Sequence, residues 1–113
     1  MDITIARKRL EEMRDELDRS ITYLAGTEPL IRATPDLADA GSSLSENDRT
    51  EAILHSARGQ REGVLAALAR IEARRYGECV DCGHEIPEGR LEALPDASRC
   101  VACQAKHARR GRR

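Results

Sequence analysis

Apolar residues return at alternating steps of three and four along the first thirty positions: Ile3, Ala6, Leu10, Met13, Leu17, Ser20, Leu24, Thr27 and Ile31. This is a heptad a/d stripe, weakened at Ser20 and Thr27, with "RKR", "EE" and "RDELDR" between its members as the charged flanks of a solvated helix. The pattern predicts a helix over about 3–34, and Gly26 and Pro29 predict a break or kink around 26–29. A second stripe runs through Ile53, Ala57, Val64, Leu68 and Ile71, thickened by Leu54 and Leu65. Ser45 with Asp48 three residues later is a capping-box-like start, so the second helix is predicted over about 46–75. Gly59 and Gly63 lower its propensity without ending it.

Each stripe is roughly 40 Å long at a rise of about 1.5 Å per residue, and neither helix can hide its apolar face alone. Two such helices in series predict a mainly α fold, an antiparallel coiled-coil hairpin over residues 1–76. Its tip falls at about 35–45, in "ATPDLADAGSSLSEN", which holds Pro35, Gly41 and three serines. Asp36 and Asp39 lie three apart there, so a helical turn would put both carboxylates on one side. The residues alone fit either solvated turn acids or a site.

Residues 77–113 read differently. All four cysteines of the chain fall between 79 and 103, as the pairs Cys79/Cys82 and Cys100/Cys103 with seventeen residues between them. Zinc takes four tetrahedral ligands and sulfur is a common structural partner, so two Cys-x-x-Cys turns facing one centre predict one structural Zn²⁺. Gly83 suits a knuckle in which backbone N–H groups turn toward sulfur and a positive φ is needed. The segment "EIPEGRLEALPDASR" is long enough to bring the second pair back, and "VACQAKHARR" has helical character and is expected to pack on the site. Four cysteines leave no open position for water, which argues against catalytic zinc. A redox pair and disulfides are the competing readings. His84 and His107 could serve as replacement ligands but read as surface residues, and His55 as a helix position.

Composition agrees with this division. The chain has 113 residues, 35% of them charged, with no Phe or Trp and two Tyr, so helices packed edge to edge and a metal suit it better than a large core. No apolar stretch resembles a signal-peptide core or a membrane span. A cytosolic location is expected, where thiols stay reduced and paired cysteines favour metal. The net charge of −1 hides an asymmetry. Residues 1–50 carry seven Lys/Arg against eleven Asp/Glu, and residues 51–113 carry twelve against nine, with the excess in the tail "KHARRGRR".

The cysteine window fits Cys-x2-Cys-x3-Ile-x3-Arg-x4-Pro-x4-Cys-x2-Cys, with Ile86, Arg90 and Pro95 in place and "ARIEARRYGEC" leading into it. It resembles the DksA/TraR family of bacterial transcription regulators, with Asp81 one place beyond the acidic position after the first cysteine. The resemblance implies a zinc finger after a coiled-coil hairpin that enters the secondary channel of RNA polymerase, with tip acids acting near the catalytic centre. Asp36, Asp39 and Ala40 in "DLADAG" correspond to the family's Asp-x-x-Asp-x-Ala tip, although Gly41 holds the expected Ala position. The family's longer members respond to the alarmone ppGpp through basic residues. Those positions align here with Gly63, Leu94 and Gln104, so ppGpp is not expected as a partner.

The leading function is therefore a monomeric, non-enzymatic regulator with RNA polymerase as partner. The alternative is a nucleic-acid-binding zinc ribbon using the five Lys/Arg of the tail on phosphates. That tail has no aromatic residues beside it for base stacking, so direct nucleic-acid contact would be weak.

Overall fold

The computed structural model describes residues 2–32 and 40–111, with side chains described over 2–26 and 46–111. Among the described residues four helices follow in order: α1 (Ile3–Arg32), α2 (Ala40–Glu72), α3 (Glu88–Ala93) and α4 (Val101–Arg110). Asp2 caps α1: its Oδ1 accepts the Thr4 N–H at 2.8 Å and its carbonyl accepts the Ala6 N–H at 2.9 Å. The helices form two compact units, one of Met1–Glu12 with Gly63–Arg113 and one of Met13–Glu62.

In the first unit α1 buries Ala6 and Leu10, and α2 buries Val64, Ala67 and Ile71. Arg7 Nη2 meets Glu72 Oε1 at 3.0 Å across this pair of helices. In the second unit Leu54 and Ala57 are buried, while Met13, Leu17, Ile21 and Leu24 are half-buried. There Arg61 Nε donates to Asp18 Oδ1. Among the described residues Leu10, Leu54 and Val64 are the largest fully buried side chains, each contributing roughly 1.5–3 kcal/mol by leaving water.

Three sequence expectations are corrected. No break occurs at 26–29, because α1 runs on through Gly26 and Pro29 to Arg32. Pro29 lies in the last turn, where its missing N–H costs one bond and little helix follows to be lost. Ser45 does not start α2, which begins five residues earlier at Ala40. Extending a formed helix through "AGSSL" adds a bond per residue, so a capping signal marks a permitted start and need not be the one used. Ile53 is off the buried stripe at 53% exposed, whereas Leu54 is 2% exposed. Ile3 and Leu65 are likewise exposed. Asp36 and Asp39 lie outside the described residues, and Ala40 is described by backbone alone as the first residue of α2.

Candidate metal centre

The chain leaves α2 through a tight C-terminal cap. The Arg75 N–H reaches back to the Arg70 carbonyl at 2.8 Å and the Arg74 N–H to that of Ile71 at 3.1 Å, with Arg74 in the left-handed region at φ 60°. This is a Schellman arrangement, which satisfies carbonyls the helix end would leave unpaired. A short antiparallel excursion follows. Glu78 bridges Glu85, the Ile86 N–H donates to the Gly77 carbonyl at 2.7 Å, and the Cys79 N–H donates to the His84 carbonyl at 2.8 Å. At its end the Gly83 N–H closes onto the Cys79 carbonyl at 2.9 Å, with Gly83 at the positive φ of 77° that its place in the sequence predicts.

Cys79 and Cys82 sit in this knuckle. Cys100 is the N-cap of α4, and Cys103 lies in its first turn. The four Sγ atoms all lie within 4.8 Å of one another, and Cys82 Sγ is 3.9 Å from Cys100 Sγ. Four sulfurs at a Zn–S distance of about 2.3 Å in a tetrahedron would stand about 3.8 Å apart, close to the spacing of this donor set, which fits zinc. All four thiols are free. His84 and His107 are exposed, and among the described residues the cluster contains cysteines alone.

The electrostatics of the sulfurs follow from their neighbours. The backbone N–H of Cys82, helped by those of Cys100 and Asp81, holds the Cys79 thiol down at about 6 against the upward push of desolvation. Cys103 is pushed up to about 12, first by the Cys100 thiol and then by that of Cys79. At Cys82 the His84 N–H pulls downward, but the Cys79 sulfur and desolvation outweigh it and the net shift is upward. One thiolate is stabilised by backbone donors and the next ones meet its charge, an opposition that a divalent cation removes.

The other residues of the sequence motif prove to be scaffolding. Ile86, Leu91 and Ala97 are buried with Cys79 in a small core, against which Tyr76, Cys100 and Cys103 pack. Arg90 Nε donates to the Arg99 carbonyl at 3.0 Å, one residue before Cys100. Pro95 is buried, and its carbonyl accepts the Tyr76 hydroxyl at 2.8 Å. Arg99 Nε in turn holds Asp81 Oδ2 at 2.8 Å, tying the two cysteine pairs together. Burial lowers the Arg70 pKa and raises that of Tyr76. None of the residues of helix α4 is fully buried, and Lys106, His107 and Arg110 line a cavity of about 440 Å³ beside Cys82 and Cys103. The sequence reading passed over Arg9, whose Nη1 donates to the Glu92 carbonyl at 2.8 Å. A side chain reaching a carbonyl 83 positions away leaves no periodic signal to read.

Residues 74–109 match the family described as "Prokaryotic dksA/traR C4-type zinc finger". The chain belongs to the DksA/TraR family. It carries the structural zinc of that finger type. The chain is 29% identical over 98 residues to "RNA polymerase-binding transcription factor DksA" of Escherichia coli, covering 82% of this chain and 60% of the relative. It is 39% identical over 79 residues to the protein of the same name from Caulobacter vibrioides, covering 68% and 54%. The chain thus spans three fifths or less of the length of these curated relatives. The structure described as transcription factor DksA2 from Pseudomonas aeruginosa shares the fold, with a TM-score of 0.83 at 24% identity over 98% of this chain and 86% of that one.

Proposed function

We propose that this protein binds RNA polymerase as a transcription regulator, entering by the secondary channel with its hairpin tip toward the catalytic centre. Cys79, Cys82, Cys100 and Cys103 hold one structural Zn²⁺ that braces the hairpin base. Asp36, Asp39 and Ala40 at the tip carry the effect. The observation that supports this most is the reach of the similarity to polymerase-binding relatives. At 98 residues it extends well past the finger at 74–109 into both long helices. These relatives are named as transcription factors, which agrees with a protein that has no catalytic role of its own. Among the described residues no helix is long and apolar enough to cross a membrane, in keeping with action in the cytosol, where polymerase works.

The positions aligned with the family's alarmone-binding cations are Gly63, the exposed Leu94 and the half-buried Gln104, none of which can pair with a polyanion as Lys or Arg does. Binding of ppGpp is therefore no part of the proposal. The test is retention by purified core polymerase in the absence of DNA, which should hold the full chain at low salt and at physiological salt. Failure to bind polymerase, with salt-sensitive retention on duplex DNA instead, would favour the basic tail as the functional element.

A further inference from the structure

The segment from Glu92, in the last turn of α3, through the loop to Arg99 carries the chain into the second cysteine pair, and its carbonyls are held from several sides. Arg9 Nη1 of α1 donates to Glu92 at 2.8 Å, the Tyr76 hydroxyl to Pro95 at 2.8 Å, and Arg70 Nη2 of α2 to Ala97 at 3.3 Å. From within the finger the Val80 N–H donates to Ser98 at 2.9 Å and Arg90 Nε to Arg99 at 3.0 Å. Cys100 follows immediately. Arg9 and Arg70 belong to the base of the long helices and Tyr76 to the turn that follows α2, and none of the three is a metal ligand. All these residues lie in one compact unit.

We propose that Arg9, Arg70 and Tyr76 couple zinc occupancy to the base of the helical hairpin, making them determinants of zinc retention although none touches the metal. The inference rests on the reading that the four cysteines hold one zinc. An ordered loop loses backbone entropy throughout its length, and here two agents share that ordering. Zinc fixes the end of this segment through Cys100 and Cys103, while Arg9 and Arg70 of the long helices and Tyr76 just after α2 fix its body at Glu92, Pro95 and Ala97. Each agent finds the loop already partly ordered by the other, which is positive coupling, and such coupling is reciprocal. Loss of zinc frees the loop and unpins the first turns of α1 from the end of α2. Loss of one of these three donors lets the second cysteine pair leave the metal more readily. Arg70 adds weight to the link: it is half-buried, its Nε is buried without a hydrogen-bond partner, and its Nη2 donates to the Ala97 carbonyl.

The test starts from the full chain with its zinc content measured, then follows release of zinc to excess chelator with a metal-sensitive dye. Arg9→Ala, Arg70→Gln and Tyr76→Phe should each release zinc about three- to tenfold faster than wild type, the range expected for one lost hydrogen bond. Arg9→Lys keeps a cationic N–H donor and should fall closer to wild type. Arg7→Ala removes the ion pair to Glu72 in the same turn of α1 but no loop contact, and should release at the wild-type rate. Conversely, zinc removal from wild type should raise amide hydrogen exchange over Ala6–Leu10 and Val64–Ile71. Release rates unchanged in all three variants, an equal effect from Arg7→Ala, or α1 protection indifferent to zinc would each overturn the coupling. A wild-type chain holding no zinc would sink the ligand reading and the coupling with it, whereas zinc held with unaltered release sinks the coupling alone.

Discussion

At Arg74 the backbone takes φ 60°, and among the described residues this is the one non-glycine with positive φ. The position is imposed by the cap that ends α2, where the chain must turn sharply to deliver Cys79 to the knuckle. An L-residue with a Cβ pays roughly 1–2 kcal/mol in that region relative to glycine, which occupies it freely. Arg74→Gly should therefore stabilise the finger end by about 0.5–1 kcal/mol, the remainder being offset by the greater entropy of an unfolded glycine. A urea midpoint that rises without a change in slope would show it; a fall would mean that the arginine side chain contributes more than its backbone costs. Gly77 and Gly83 adopt φ 90° and 77°, so the same turn chemistry already uses glycine at its other left-handed positions. Gly83 was legible from its place directly after a cysteine pair, whereas Gly77 and Arg74 were not, because a helix C-cap has no fixed spacing from the metal ligands.

At the scale of the helices, the phase of α2 decides which side chains are buried. Leu54, Ala57, Val64, Ala67 and Ile71 form the observed face, and Arg61 fills the gap in it by pairing with Asp18. The sequence pattern placed Ile53 on that face because Ile53 and Leu54 are adjacent and both apolar, and the charged residue at 61 hides the step that separates their phases. Two single substitutions read the phase directly. Leu54→Ala should cost about 2–5 kcal/mol, as expected for emptying a fully buried site. Ile53→Ala should stay within about 0.5 kcal/mol, as surface substitutions do. Thermal unfolding followed by helix content checks both, and the reverse ranking would restore the Ile53 phase. The existence of two long helices, their antiparallel pairing and the cysteine cluster were legible from the periodicity and the paired Cys-x-x-Cys spacing. The helix ends were not, because Gly, Pro and capping residues set local preferences of a few kcal/mol at most, and the growth of a packed helix can override them.

For the molecule as a whole, the chain separates its charges: an acidic first half that includes the tip residues, and a basic excess near the cysteines. Four thiolates on Zn²⁺ leave about −2 at the metal, which the neighbouring Arg99, Lys106 and Arg110 help to offset. Under the proposed function, affinity for polymerase comes mainly from the flanks of the hairpin and the finger, and the effect comes from the acids at the tip. A carboxylate placed close to a catalytic Mg²⁺ changes the local field and the balance among mobile parts of the polymerase, with no bond made or broken by the regulator. Asp36→Asn with Asp39→Asn deletes two charges while keeping side-chain size and much of the hydrogen-bonding capacity. The double variant should bind core polymerase within a few-fold of wild type by competition and lose its effect on open-complex lifetime at a responsive promoter. Regulation equal to wild type would make the two acids ordinary turn residues. Loss of binding would make them docking contacts, and the assignment of affinity to the flanks and effect to the tip would then be wrong.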